Sequence, residues 1–329
     1  MVRLICLAPL LTLLLPGLSG EAAAPRPSGA VVLYTSLPQE IATNFARAFM
    51  ERYPSVHLEV LRAGSTDLER RLFAEAQAGG IRADVLWLAD APAMLTLRDQ
   101  GQLQAYRSPE ARRIPAEWRD PSGTFTAGRL INMVIAVNTT LIPERVAPHR
   151  WADFPKFGKV AVMPSPFFSG SVFVAVAAVV QKFGWGWFER ARAEGIHVLQ
   201  ANPDVARALA AREFSVGMAL DFIVYGLVRD GAPLAIIWPD DGAISIPSPV
   251  AITRAARNPA GARAFVDFVL SREGQQALAA QGIIPVRPDV APPAGLPGPA
   301  AIRTLPVPYA WAAQHAAEIR SRFEAIVLK

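Results

Sequence analysis

Val31-Val32-Leu33-Tyr34-Thr35, a β-branched and aromatic run, leads into Ile41, Phe45, Phe49 and Met50 at helical spacing, and the same pairing of segments recurs twice before residue 100. This alternation of period-2 and period-3.6 segments constrains the fold more than any other feature of the chain. The first helix stops at Tyr53-Pro54, where proline cannot continue it. Val56-His57-Leu58-Glu59-Val60 alternates as a second strand, and Gly64-Ser65-Thr66-Asp67 opens a helix carrying Leu68, Leu72 and Phe73 that ends at Gly79-Gly80. Residues 83–88 form a third strand, and Pro92 to Leu97 begins the next helix. Strands and helices in this order predict an α/β architecture with a mainly parallel sheet. In open sheets of this kind ligands collect at the carboxyl ends of the strands, where loops and helix N-termini converge. Ser36, Gly64, Ser65, Thr66 and Asp90 all fall at such ends.

The pattern continues downstream. Ile131 to Asn138 and Val160 to Met163 read as strands, and Ser169-Gly170-Ser171 precedes an apolar helix from Val172. Ser215 to Asp221 is another strand, while Leu234 to Val250 is strand-like but interrupted by Pro239-Asp240-Asp241-Gly242. Asn258-Pro259 starts a helix through Phe265 and Leu270, and a Pro/Gly-rich stretch from Pro285 to Pro299 precedes a C-terminal helix over Ala310 to Ile326. Two lobes are expected, with the chain crossing near Gly128 to Asn138 and returning near Ile246 to Thr253. Residues 29–128 and 248–288 then form lobe 1, 129–247 lobe 2, and 289–329 a proline-rich segment with the C-terminal helix.

The first residues have a different character. Arg3, the apolar run Leu4 to Leu15, the Pro16-Gly17 break and the small residues after it have the layout of a secretory signal peptide, expected over residues 1–24. The run is shorter than the roughly 20 residues that span a bilayer. The chain's only cysteine, Cys6, lies inside it, so the exported protein is expected to carry no cysteine, which removes disulfides, thiolate catalysis and cysteine metal sites together. An apolar fraction of 52% supplies the core instead. The net charge of +5 is dispersed and mostly arginine; without a basic cluster no nucleic-acid partner is expected, and the charge suits small anions.

Gly64-Ser65-Thr66 and Ser169-Gly170-Ser171 each place hydroxyls and a glycine where a loop meets a helix start. The exposed amides and the helix dipole there suit an anion, although Ser and Thr are also the commonest N-caps. Asp90 and Asp221 follow strands and point to the same cleft, either as contacts for an ammonium or hydroxyl or as caps of the next helix. Arg62 and Arg129 are candidates for a bidentate anion contact. No nucleophile-base signature accompanies the carboxylates, so no enzyme activity is expected. His57, His149, His197 and His315 are isolated, and no phosphate-loop or dinucleotide motif follows a strand, so neither a metal nor a cofactor is expected. The aromatic run Phe183 to Phe188 reads as packing.

Leu33-Tyr34-Thr35-Ser36, Ala83-Asp84-Val85, Gly128-Arg129 through Val137-Asn138-Thr139, Ser169-Gly170-Ser171, Trp238-Pro239-Asp240-Asp241-Gly242 and Asn258 to Gln275 together resemble the ferric-iron-type family of ABC-transporter substrate-binding proteins. The resemblance runs from Val31 to Pro288. It implies a two-lobed type II periplasmic binding fold with the ligand trapped between the lobes by hinge closure, a membrane permease and ATPase as partners, and a monomer in the periplasm. Iron-binding members carry adjacent tyrosines where this chain has Asp221-Phe222, and a histidine where it has Leu37-Pro38, so the likeness is to the branch that binds organophosphates and phosphonates; ferric iron is the alternative. The ligand-binding set expected on this basis is Ser36, Gly64, Ser65, Thr66, Asp90, Ser169, Gly170, Ser171, Asp221 and Phe222. A periplasmic enzyme and a sensor domain on the same fold are the remaining readings.

Overall fold

A computed structural model describes residues 27–329; the expected leader over 1–24, with Cys6, lies outside the described residues. Strand β1 (Gly29–Thr35) is central to the first lobe, with β2 (Val56–Arg62) parallel on one side and β3 (Val85–Trp87) parallel on the other. Helices α1 (Gln39–Arg52), α2 (Ser65–Gln77) and α3 (Ala91–Asp99) connect and follow them. The short β4 (Leu103–Gln104) then leads into β5 (Phe125–Asn138), a strand of 14 residues that is buried everywhere except its first position.

The second lobe follows β5. Its strands are β6 (Ala161–Pro164), β7 (His197–Leu199), β8 (Val216–Leu220) and β9 (Leu234–Ile237); its helices are α4 (Gly170–Phe183), α5 (Gly186–Ala193), α6 (Asn202–Ala210) and α7 (Asp221–Arg229). β10 (Ile244–Thr253) returns to the first lobe, which is completed by α8 (Pro259–Leu270) and α9 (Arg272–Ala279). The strand order is β2-β1-β3-β10-β5-β8-β6-β7, with β4 on β10 and β9 on β5.

Two long antiparallel strands therefore join the lobes. β10 pairs with β3 over Val250 to Ile252 and with β5 over Ile244 to Ala251, whereas β5 pairs with β8 over Met133 to Val137. The register of the β5–β10 pair shifts between Ser248 and Pro249. A bulge tolerates proline inside a ladder, because the missing amide falls where pairing is already interrupted, and it bends the strand where the lobes part. Gln275 fixes this bend: its amide donates to the Gly128 and Val269 carbonyls, both at 2.7 Å, and accepts from the Val286 amide at 2.8 Å.

Helix α4 carries an almost unbroken apolar sequence and is buried from Gly170 to Val179. Among the described residues no single helix is long and apolar enough to cross a membrane. The aromatic run after α4 is packing: Trp187 and Phe188 are fully buried, and the Trp187 indole donates to the Trp151 carbonyl at 2.7 Å.

The C-terminal helix expected over Ala310 to Ile326 is divided into α10 (Tyr309–Gln314) and α11 (Ala316–Phe323), with a wider turn over Glu324–Leu328. The break falls at His315, whose ring stacks on Trp311 at 5.0 Å between centroids while Nδ1 lies 2.9 Å from the Trp311 carbonyl oxygen. That local bond competes with the helical ladder, as side chains that reach the backbone do.

Candidate functional site

Thr35, the last residue of β1, turns the chain toward the space between the lobes: its hydroxyl donates to the Trp87 carbonyl at 2.8 Å and accepts from the Leu37 amide at 3.2 Å. Ser36 follows, its Oγ accepting from the Ala89 amide at 2.9 Å. At the end of β2, Arg62 donates from Nε to the Leu37 carbonyl at 3.1 Å, and Gly64 then opens α2. Ser36, Pro38, Arg62, Gly64, Ser65 and Ala89 form the first-lobe wall of a cleft. Phe168, Ser169, Ser171, Asn202, Phe222 and Ile223 form the facing wall, and Arg129 and Ile131 of β5 form the floor.

Four helix starts, those of α2, α4, α6 and α7, face this space, and no side chain bonds their first-turn amides from the N-cap position. By contrast, Asp90, Asn258 and Ser271 cap α3, α8 and α9. First-turn amides without a cap are donors awaiting an acceptor, and the helix dipole gives them partial positive charge; in α7 the Phe222 amide is already taken by Asp221. Ser169 sits at the N-cap of α4 but is otherwise engaged: its hydroxyl lies 2.9 Å from the Ser171 hydroxyl, and both accept from the Asn202 amide nitrogen, at 3.0 and 3.3 Å. Two hydroxyl protons share one serine-serine bond, so one proton remains to donate into the cleft.

Arg129 dominates the electrostatics. It is 1% exposed, donates from Nε to Ser248 Oγ at 3.3 Å and lies 5.9 Å from the Phe222 ring centroid, while its Nη1 is buried without a partner. Burial pulls the guanidinium down to about 10, with nearby Asp221 opposing the shift, so it stays charged at neutral pH. Asp221 is fully buried and faces away from the cleft, accepting from the Asn132 amide at 3.0 Å and the Asn132 side chain at 2.7 Å. Burial raises its carboxyl to about 6 despite those bonds and the charge of Arg129. Asp90 is also buried; one oxygen caps α3 through the Ala93 amide at 3.1 Å, and the other has no partner. Burial, followed by the charge of Glu69, raises it to about 7.

The family model described as bacterial extracellular solute-binding protein matches residues 82–305. The chain belongs to that family. A probable ABC transporter periplasmic-binding protein, y4fP of Sinorhizobium fredii, is 26% identical over 247 residues, covering 70% of this chain and 68% of that protein. The periplasmic binding protein AfuA from Actinobacillus pleuropneumoniae, solved with fructose-6-phosphate bound, superposes with a TM-score of 0.82 at 22% identity, covering 91% of this chain and 99% of AfuA. Iron-bound HitA from Pseudomonas aeruginosa gives a TM-score of 0.79 at 20% identity over 90% of this chain and 99% of HitA. The fold is the two-lobed type II periplasmic binding fold.

Within this solute-binding protein, Ser36, Gly64, Ser65, Ser169, Ser171 and Phe222 line the cleft. Gly170 stands just behind the lining, packed on Asp90. Thr66, Asp90 and Asp221 are not among the lining residues: the Thr66 hydroxyl is buried, Asp90 closes α3, and Asp221 is turned onto Asn132 because it is the first residue of α7 and lies against β5. Both arginine candidates, Arg62 and Arg129, line the cleft. Asn202 was missed by the sequence reading; the Asn202-Pro203 pair that opens α6 was its available signal, since proline is favoured in a first helical turn.

Proposed function

We propose that this protein is the periplasmic solute-binding component of an ABC importer, and that its cleft takes a small organic anion of the phosphorylated-sugar or phosphonate type by hinge closure. The cationic Arg129, which lines the floor of the cleft and whose buried Nη1 has no partner, carries this reading, together with the helix starts around the cleft that have no N-cap side-chain bond. A buried cation with an unmet donor favours an anionic acceptor, and a guanidinium matches phosphate geometry. AfuA, solved with a hexose phosphate, has the same fold.

The ferric-iron alternative, which the family resemblance raised and the shared fold of iron-bound HitA also prompts, lacks ligands here. The cleft lining contains no phenol, imidazole or carboxylate. Tyr34 is 2% exposed and donates to Glu75 at 3.0 Å, and Tyr225 packs against Gly282. Hard ferric iron requires anionic oxygen donors. The proposed partners are a membrane permease and its ATPase, and the proposed active form is a monomer that binds solute without turning it over.

A thermal-shift panel of hexose phosphates, aminoalkylphosphonates, polyamines, amino acids and ferric citrate tests the assignment. A ligand at 100 times its Kd stabilises the native state by roughly 2.7 kcal/mol, a rise of about 5 °C for a chain of this size. Phosphate- or phosphonate-bearing compounds are expected to give that rise. A shift confined to ferric citrate, with phenolate colour, overturns the proposal.

A further inference from the structure

The C-terminal helices touch both lobes. α10 packs against α3, and the Tyr309 hydroxyl donates to the Ser245 carbonyl of β10 at 3.0 Å. α11 is held to the second lobe by Phe323, whose ring lies 5.5 Å from Phe188 and 6.4 Å from Phe167 between centroids. From α11, Arg320 reaches back across the junction. Its Nη2 donates to Glu69 Oε2 of α2, in the first lobe, at 2.8 Å, while the guanidinium carbon lies 4.6 Å from the Phe173 ring centroid of α4, in the second. The two charged side chains are 22% and 16% exposed. One guanidinium thus bonds a carboxylate of one lobe and covers a ring of the other. The lobes also touch directly beside this point, where Gly170 of α4 meets Asp90.

We propose that Glu69 and Arg320 form an interlobe latch, a pair of positioning residues that favours the closed lobes and so tightens solute binding without touching the solute. The physical basis is the anchoring of α11. Phe323 and Ile319 are buried, so α11 travels with the second lobe, and a hinge motion that parts the lobes draws Arg320 away from Glu69. Closure re-forms a charge-assisted hydrogen bond in a largely shielded place, where it is stronger than an exposed pair. Apparent affinity scales with the fraction of protein in the binding-competent state, so a bond made only on closure adds to affinity. The effect on solute rests on the function proposed above; the effect on lobe closure does not.

The test is interlobe energy transfer in the full mature chain, labelled at Arg47→Cys on α1 and Lys182→Cys on α4, both exposed positions. The sole native cysteine, Cys6, is in the leader, so the labels are unambiguous. Wild type without added solute is expected to show a closed population, and Arg320→Met and Glu69→Gln are each expected to lower the closed-to-open ratio about 3–10-fold, as loss of a partly exposed ion pair, a little stronger than a fully exposed one, implies. The double variant should fall no further than the singles. The exchange Glu69→Arg with Arg320→Glu should recover part of the loss, which separates a latch from general damage. Identical distance distributions in wild type and both single variants, or a wild type with no closed population, overturn the latch. Fructose 6-phosphate and inorganic phosphate are then added as probes. If neither moves the wild-type distances while the variants still differ without solute, the latch stands and the solute reading falls; if a probe closes all three proteins, faster release from the variants is expected.

Discussion

Arg129 and Asp221 are both buried and feel each other's charge, but their side chains bond different partners. The arginine lines the cleft floor and keeps a buried Nη1 without a partner, whereas the carboxylate is used up by Asn132. Both Asp221 and Asp90 have carboxyls raised by burial, to about 6 and about 7, against about 3.9 in an unfolded chain. Each therefore holds its proton in the folded protein over a range where the unfolded chain has released it. Raising the pH through that range favours the unfolded state, so stability is expected to fall between about pH 4.5 and pH 7. Urea unfolding at pH 5 and pH 8 should give a free energy lower at pH 8 by about 2–4 kcal/mol. Asp90→Asn keeps an N-cap and should remove much of that slope; a stability that is flat or rises over this interval contradicts the assignment. Residue-level detail was only partly legible in the sequence. The serine-glycine triplets were visible as helix starts, but period and spacing do not reveal which first-turn side chain faces the cleft and which faces the sheet. Asp221 and Phe222 are neighbours, and only the packing of α7 against β5 turns one inward and leaves the other on the lining.

At the level of elements, glycines stand where loops and helices of opposite lobes meet, and the proposed closure would use them. A Cβ on Gly64 would lie 2.9 Å from the Phe168 carbonyl, and one on Gly170 would lie 2.7 Å from the Asp90 side chain. Gly170→Ala is therefore expected to hold the lobes slightly apart and weaken binding of the solute found in the panel about 10-fold or more, with a smaller effect on unfolding, because an open arrangement relieves the clash. A calorimetric titration that finds unchanged affinity in Gly170→Ala would show that closure does not need this approach. Most elements could be read from the sequence, because strand and helix periods alternate cleanly and Pro54, Gly79-Gly80 and Pro239 to Gly242 punctuate them. Three features could not. The sheet is mixed rather than mainly parallel, because the two long crossing strands β5 and β10 pair antiparallel with each other and with β3, β4, β8 and β9. β5 begins at Phe125, well before the apolar run that marks it, because its first half gains order from pairing with β10. The C-terminal helix breaks at His315 through a side-chain contact that periodicity does not encode.

Two long strands and a C-terminal helical strap connect the lobes, and the cleft between them has a cationic floor and amide-lined walls. The fold was legible in the order of short motifs, and the cleft in the carboxyl ends of β1, β2 and β3, where open α/β sheets gather ligands. The anionic character of the solute is the central claim, and Arg129 is its most direct probe. Isothermal titration of wild type and Arg129→Met with the phosphate- or phosphonate-bearing compound that gives the largest thermal shift tests it. Methionine fills the buried stem of the arginine without its charge, and loss of a charged hydrogen bond predicts a Kd about 10–150-fold weaker with the fold retained. An Arg129→Met protein that binds the same compound as tightly as wild type contradicts the claim.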